Sequence, residues 1–344
     1  MAPKTILITG GLGFIGGHYV HQYRQHYPED KIVVVDKNTY AADRSRTTPF
    51  EGQDNFVFIE ADIAVMEKMH TIFQQHKPTA VINFAAESHV DNSISGPAPF
   101  LATNVTGTFN LLEAARQLWL AQPHELKEEF CAARFYQIST DEVFGSLGQE
   151  GLFSEKSNYA PNSPYSASKA SADHWVRSYF HTYGLPTLIS QCSNNYGPYQ
   201  HQEKLIPTVI RTALKGQEIP IYGDGKNRRD WLYVEDHCTA IMSVLEKATP
   251  GESFTIGGGA ERDNLTICKT ILSFLDGIKP KQDGSSYQEQ IRFVEDRPGH
   301  DFRYAIDARK IKSQLGWEPQ NTFEAALQKT VVYYLKKYNE ENPS

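Results

Sequence analysis

Strand and helix alternate through the first half of this chain, and that rhythm leaves few folds open. Thr5-Ile6-Leu7-Ile8-Thr9 is a short apolar run without polar alternation, the pattern of a strand buried on both faces. Glycines follow, and residues 14–27 then read as a helix. Further strands are expected at 31–35, 55–60, 80–84, 132–138 and 187–191, with helices at 65–76, 99–120 and 165–183 between them. Repeated strand–helix pairs argue for an α/β fold, a doubly wound parallel (Rossmann-type) sheet with helices on both faces. The polar stretch 123–129 reads as a loop. After about Asn194 the rhythm loosens: Pro, Gly and polar residues mix with short apolar segments. We therefore expect 1–193 to form the main domain and 194–344 to form mainly a smaller C-terminal substrate-binding lobe. The chain is expected to return to the sheet near 231–245, and an amphipathic helix at 322–337 to close it.

Bulk properties exclude more than they identify. The 344 residues suffice for a sizeable core, and 40% hydrophobic with 22% charged residues is ordinary for a globular protein. A net charge of −7 gives no reason to expect nucleic-acid or membrane binding. Cys131, Cys192, Cys238 and Cys268 are scattered, as for reduced thiols in a cytoplasmic protein; neither a disulfide frame nor a metal site is expected. The first strand is expected directly after Lys4, so no signal peptide is expected.

Gly10, Gly13 and Gly16 form Gly-x-x-Gly-x-x-Gly between the first strand and the first helix. Glycine suits backbone that must turn sharply or touch a pyrophosphate, and the helix N-terminus offers unpaired N–H groups to that anion. Asp36 closes the second strand, where a carboxylate accepts both ribose hydroxyls and repels a 2′-phosphate, so NAD is expected rather than NADP. Arg44 and Arg46 are the nearby cations that could oppose this choice. Asp62 could bind the adenine amino group or simply cap a loop.

Tyr165 and Lys169 lie four apart on one helix face, a pair suited to hydride-transfer chemistry. A free tyrosine has a pKa of ~10, and a nearby ammonium would favour its phenolate. Thr140, Asp141 and Glu142 stand together after the apolar run 132–138. Paired carboxyls can divide acid and base work if their pKa values are pushed apart. Adjacent strand residues face opposite sides, so both can serve only where the strand has ended.

These motifs resemble those of the extended short-chain dehydrogenase/reductases, specifically the nucleotide-sugar 4,6-dehydratases. The resemblance covers nearly the whole chain. It rests on Thr-Gly-Gly-Leu-Gly-Phe-Ile-Gly at 9–16, Asp-Lys-Asn-Thr-Tyr at 36–40, Ala-Ala-Glu-Ser-His-Val-Asp at 85–91 and Ser-Thr-Asp-Glu-Val-Phe-Gly at 139–145. Asn-Asn-Tyr-Gly-Pro-Tyr at 194–199, Glu-Lys-Leu-Ile-Pro at 203–207, the segment 229–237 and Asp-Arg-Pro-Gly-His-Asp at 296–301 continue it. The Thr-Asp-Glu triplet discriminates: related epimerases lack the pair, and GDP-mannose dehydratases typically carry Ser-Glu.

The resemblance implies a set of roles. Thr140 and Tyr165 bind the sugar 4-hydroxyl, and Tyr165 takes its proton as C4 is oxidised by NAD. Glu142 then removes the C5 proton, Asp141 protonates the departing 6-hydroxyl, and hydride returns to C6. NAD would be held by Gly10, Gly13, Phe14, Ile15, Gly16, Asp36, Lys37, Asn38, Thr39, Asp62, Ile63, Phe84, Ala85, Ala86, Ser88, Thr103, Tyr165, Lys169 and Asn195. The nucleotide sugar would meet Ser88, Thr140, Asn194, Lys204, Leu205, Pro220, Ile221, Tyr222, Arg229, Asn264, Arg297 and His300. Arg228 competes with Arg229 for its role, and Tyr222 could stack on the base. A homodimer through a four-helix bundle, built from the helices at 99–120 and 165–183, is also implied.

Asn92, Phe144, Phe302 and the stretch 258–262 depart from the family's usual pattern. They leave the nucleotide open: dTDP-glucose is expected, with UDP-glucose as the alternative. Epimerase or decarboxylase activity within the same superfamily, and a catalytically silent NAD-binding scaffold, are further alternatives. Asp141 and Glu142 speak against decarboxylation, and the retained Tyr165 and Lys169 speak against a silent scaffold.

Overall fold

The structure is a computed structural model that describes residues 3–296 and 301–341. Among the described residues the main sheet has seven strands, all parallel: β1 (Thr5–Thr9), β2 (Lys31–Asp36), β3 (Phe56–Glu60), β4 (Ala80–Asn83), β5 (Arg134–Thr140), β6 (Thr187–Cys192) and β7 (Ser253–Ile256). Their spatial order is β7-β6-β5-β4-β1-β2-β3. Leu7 sits between Val33 and Val81 in register.

The pleat sorts the apolar runs into two cores. Ile6, Ile8, Val34, Ile82, Tyr136 and Leu188 point to one face, where Tyr19, Val20 and Tyr23 of the helix Phe14–His26 meet them. Leu7, Val33, Val35, Val81, Phe135 and Ile189 point to the other. There they meet Met69, Ile72 and Phe73 of the helix Met66–His76, and Leu111, Leu112 and Trp119 of the helix Thr108–Trp119. Period-2 alternation within each continuous apolar run explains why both faces need a helical layer.

The order of strands reverses between β1 and β4, because the chain runs outward from β1 to β3 and then crosses back to β4. At such a reversal the loops leave in opposite directions and a crevice opens at the carboxyl ends of the strands. Gly10 fits this narrow place: its φ is +68°, and a Cβ there would lie 2.7 Å from the Ala85 amide nitrogen.

Several expectations shift. The return to the main sheet comes at Ser253–Ile256, later than 231–245; residues Val234–Lys247 form a helix that packs against Phe14–His26 and fills the same core. The long helix at 99–120 is broken into Ala98–Phe100, a π-helical stretch Leu101–Gly107, and Thr108–Trp119. Residues 123–129 include one arm of a small hairpin, Leu120–Gln122 against Glu125–Leu126. The strand expected at 132–138 extends to Thr140, which still pairs with Cys192. Outside the main sheet, Arg228–Tyr233 pairs with Asn194–Tyr196 and Glu261–Asp263, while Ile219–Tyr222 pairs with Ile291–Val294. The helix Asn264–Ile278 and the last described helix, Phe323–Glu341, pack against each other behind these small sheets.

A Cβ at Gly16 would sit 2.2 Å from the Gly10 carbonyl oxygen, a distance that backbone cannot relieve cheaply. Gly16→Ala is therefore expected to lower stability by about 1–3 kcal/mol, as overpacking does. Urea unfolding with an unchanged midpoint would refute this account of the turn.

Candidate active site

The crevice gathers most of the residues singled out above. Phe14–His26 starts at Gly13 with no side-chain cap, so its first amides lack an internal partner. A Cβ at Gly13 would meet only the Gly10 carbonyl oxygen, at 3.2 Å; elsewhere that position looks into the open crevice. Phe14, Ile15 and Gly16 line the same wall. Asp36 accepts the Leu12 amide at 3.0 Å and the Asn38 amide at 2.9 Å. Burial raises its carboxyl pKa, and those two amides oppose the rise. Lys37 donates to Thr103 at 2.9 Å and pairs with Glu87 at 2.9 Å, tying the β2 edge to the π-helical stretch. Thr39, Asp62, Ile63, Phe84, Ala85, Ala86 and Ser88 complete this half. Asp62 also caps its loop, accepting the Ala64 amide at 2.8 Å. Asn38 does not line the crevice; with φ +54° its amide serves Asp36 and its side chain reaches Glu60.

These features fit the NAD that the sequence implies. A side chain at Gly13 would fill the space before the helix amides, and Asp36 keeps lone pairs free beside two amide contacts. Arg44 and Arg46 stand outside the crevice. Arg44 pairs with Glu51 at 2.9 Å, and buried Arg46 stacks over Tyr199 at 4.1 Å.

The other half of the crevice lies at the end of β5. The strand stops at Thr140 and a single 3-10 turn, Asp141–Phe144, follows. Pleated alternation ends there, so Thr140, Asp141 and Glu142 all line one space with Tyr165 and Lys169. Thr140 accepts the Glu142 amide at 3.3 Å and donates to Asp141 at 3.3 Å. Asp141 is 2% exposed, and its Oδ2 has no hydrogen-bond partner. Burial pushes its carboxyl well above the usual range; Glu142 and Asp230 add to this, and Arg229 opposes it.

The sequence argument has Lys169 drawing Tyr165 toward its phenolate. In this structure burial dominates and holds the phenol above its ordinary value, with Glu142 and Cys192 adding and a Thr140 hydrogen bond opposing. The Lys169 ammonium is spent on the Ile138 carbonyl, 2.7 Å away, and burial pushes it down.

The residues assigned to the nucleotide sugar divide. Asn194, Lys204 and Ser88 line the crevice, with the Lys204 ammonium 3.3 Å from the Ser88 carbonyl. Asn195 lines it too, its side chain held by the Ser193 carbonyl at 3.0 Å and by His237 at 2.8 Å. Leu205 opens the helix Leu205–Leu214 just beyond. Pro220, Ile221, Tyr222, Arg229 and Asn264 are not part of the crevice wall. Ile221 is buried and Tyr222 is 48% exposed, on one edge strand. Arg229 points inward: it donates to the carbonyls of Asp301 at 2.9 Å and Phe302 at 3.2 Å and stacks over Tyr304 at 4.4 Å. Its neighbour Arg228 pairs with Glu261. Asn264 begins the helix Asn264–Ile278. Arg297 and His300 lie outside the described residues.

Sequence reasoning missed Glu87, Ser139, Cys192, Ser193, Gln200, His201 and Glu203 in the wall. Glu87, Ser139 and Glu203 lie inside quoted motifs and could have been found there. Cys192 could not, since only the pairing of β6 with β5 brings it beside Thr140. Among the described residues no group of three or more His, Cys, Asp or Glu could hold a metal ion, and no helix is long and apolar enough to cross a membrane.

Comparison with known proteins agrees with this geometry. A family model described as GDP-mannose 4,6 dehydratase matches residues 7–330. The chain is 51% identical to dTDP-glucose 4,6-dehydratase of Xanthomonas campestris pv. campestris, over 96% of this chain and 93% of that one. It is 52% identical to dTDP-glucose 4,6-dehydratase 1 of Escherichia coli K12, over 96% and 92%. Among solved structures, dTDP-glucose 4,6-dehydratase of Bacillus anthracis in complex with NAD superposes with a TM-score of 0.84 at 42% identity, covering 98% of both chains. The Streptomyces venezuelae enzyme of the same name, solved with NAD and a dTDP ligand, gives 0.87 at 39% identity, over 98% and 99%. With its crevice at the strand reversal and a family model that matches residues 7–330, the chain belongs to the family of nucleotide-sugar enzymes whose model is described as GDP-mannose 4,6 dehydratase.

Proposed function

We propose that this chain is a dTDP-glucose 4,6-dehydratase, converting dTDP-glucose to dTDP-4-keto-6-deoxyglucose and water. The observation that carries the reading is Asp141, a buried carboxyl with an unpartnered oxygen in the crevice beside Glu142 and Tyr165. An enzyme that only oxidised or inverted C4 would have no use for it. Named relatives near 50% identity over almost the whole chain support dTDP over the other nucleotides.

NAD, held by the glycine turn, Asp36 and Lys169, would supply the acceptor for the electrons leaving C4 and return them to C6. Tyr165, whose phenolate the positive charge of bound NAD would favour against the effect of burial, accepts the C4-hydroxyl proton while Thr140 orients that hydroxyl. The 4-ketone acidifies C5–H, and Glu142 takes that proton. Asp141, whose carboxyl pKa burial raises, gives its proton to the C6 oxygen and water leaves; as the electrons return to C6, a proton returns to C5. Ser88, Asn194, Lys204, Arg229, Asn264, Arg297 and His300 are the proposed contacts to the nucleotide sugar, with residues beyond 194 mainly on that side. A cytoplasmic homodimer serving dTDP-rhamnose synthesis is part of the same proposal. Exposed Leu101 and Trp175, with Phe109 set edge-on to Trp175, give the two paired helices an apolar outer face to support it.

The direct test is a panel of dTDP-, UDP-, GDP- and CDP-glucose with identification of the product. Release of a 4-keto-6-deoxy sugar nucleotide chiefly from dTDP-glucose is expected; preference for another base would overturn the substrate assignment.

Tyr165→Phe keeps the ring and removes the proton acceptor. Turnover should fall on the order of 10³-fold, within the ~10²–10⁴ a positioned acid–base group contributes, while NAD affinity persists. Near-normal turnover would eliminate Tyr165 from that role.

Asp36→Ala should narrow the preference for NAD over NADP, measured as the ratio of dissociation constants. A native enzyme that binds both equally would remove the case for Asp36.

Glu142→Gln and Asp141→Asn should fail differently. In deuterated water, Asp141→Asn should exchange the C5 proton faster than it forms product, whereas Glu142→Gln should not exchange it. A substrate with a better leaving group at C6 should rescue Asp141→Asn far more than Glu142→Gln. Equal rescue would show that the two carboxyls act as one coupled pair.

A further inference from the structure

The helix Pro164–Tyr183 carries a third ionisable group on the face that holds Tyr165 and Lys169. Asp173 lies one turn beyond Lys169, and residues four apart share a helix face. It is 1% exposed. Its Oδ2 accepts three hydrogen bonds: from the Ser139 hydroxyl at 2.7 Å, the Tyr159 hydroxyl at 2.9 Å and the Gln191 amide at 3.2 Å. These donors come from β5, from the loop before the helix and from β6. Oδ1 is buried without a hydrogen-bond partner.

Lys169 and Asp173 grip consecutive residues of β5. Lys169 donates to the Ile138 carbonyl, and Asp173 accepts from the Ser139 side chain. Thr140, Asp141 and Glu142 follow at once. One pair of side chains thus fastens the end of the strand to the helix that bears Tyr165.

Charge points the same way. Lys169 is 4% exposed, and an ammonium buried with only a carbonyl for company gives up its proton readily. Burial pushes Lys169 down; Asp173, then Cys192, push it back up. In return Lys169, followed by the three donors, opposes the rise that burial imposes on Asp173. The groups that face the pair can be named. Asp141, Glu142, Tyr165 and Cys192 line the crevice with Lys169, while Tyr159, His174, Arg177, Glu155 and Glu252 line a smaller cavity with Asp173.

We infer that Asp173 is a positioning residue for Lys169: its carboxylate is the buried counter-ion that keeps Lys169 cationic, and its bond to Ser139 holds the Thr-Asp-Glu turn against Tyr165. The inference rests on the reading of Lys169 as a cation that would hold NAD.

The titration uses the full chain without NAD or substrate, so the Lys169 midpoint is independent of the substrate assignment. Lysine labelled with ¹³C at Cε is titrated by NMR, with Lys169→Met identifying the signal. In the native protein Lys169 should still be charged at pH 7 despite its burial; a midpoint below that pH would overturn the inference without any further variant. Asp173→Asn keeps the shape and the acceptor and removes the charge. Its Lys169 midpoint should fall, because the carboxylate that opposes the effect of burial on Lys169 is gone. The alkaline fall in NAD affinity should move by the same amount. An unchanged midpoint in Asp173→Asn, even with lowered stability, would make Asp173 a purely structural residue and overturn the inference. Ser139→Ala should reduce dTDP-glucose turnover several-fold and leave the Lys169 midpoint in place; native turnover in this variant would remove the positioning half of the inference.

Discussion

Hiding charge is the constraint on which the carboxyl edge of this sheet depends. Asp141, Lys169, Asp173 and Asp230 are all buried there, and an ionised group taken out of water must find partners or change its protonation. Asp230 finds backbone amides, those of Gly258 at 3.0 Å and Ala260 at 2.7 Å. Lys169 has one carbonyl and a carboxylate along its helix, and Asp173 has three donors on one oxygen. Asp141 has the long hydrogen bond to Thr140 and the opposing charge of Arg229. Burial still raises its carboxyl pKa, the direction that suits the acid role proposed for it beside Glu142.

That edge exists because β5 ends where it does. One more extended residue would have thrown Asp141 and Glu142 to opposite faces of the sheet. The 3-10 turn, begun by the Thr140 hydroxyl accepting the Glu142 amide, cancels the alternation within two residues. Geometry at the strand end and electrostatics at Asp141 are thus one fact seen twice, since the turn is what carries Asp141 into its dry position.

Much of this was legible in the sequence. Runs such as Thr5–Thr9 announced strands buried on both faces, and Asp36 announced itself by its place at the end of the second strand. Thr140, Asp141, Glu142, Tyr165 and Lys169 do share one crevice. What stayed hidden depends on contacts distant along the chain. The π-helical stretch Leu101–Gly107 shares the periodicity of an ordinary helix to the eye, yet it carries Thr103 to Lys37 and Asn104 to Glu87. Arg229 reads as an anion-binding fork, and the sequence does not show that its guanidinium also donates to the carbonyls of Asp301 and Phe302. Nothing in the sequence marks Asp173, whose donors Ser139 and Gln191 lie on β5 and β6. Periodicity reports which face is buried, and it is silent about which distant segment will cover that face.

The late arrival of Ser253–Ile256 has a consequence for how the chain is made. A ribosome delivers six strands of the main sheet, then a stretch that pairs elsewhere, and only then the seventh. During that interval β6 is an open edge, with unpaired amides along residues that will later face Ser253–Ile256. A growing chain in this state is exposed to pairing with its neighbours on the same message. Non-local closure of this kind is slow, because the intervening loop must be gathered before any new bond repays it.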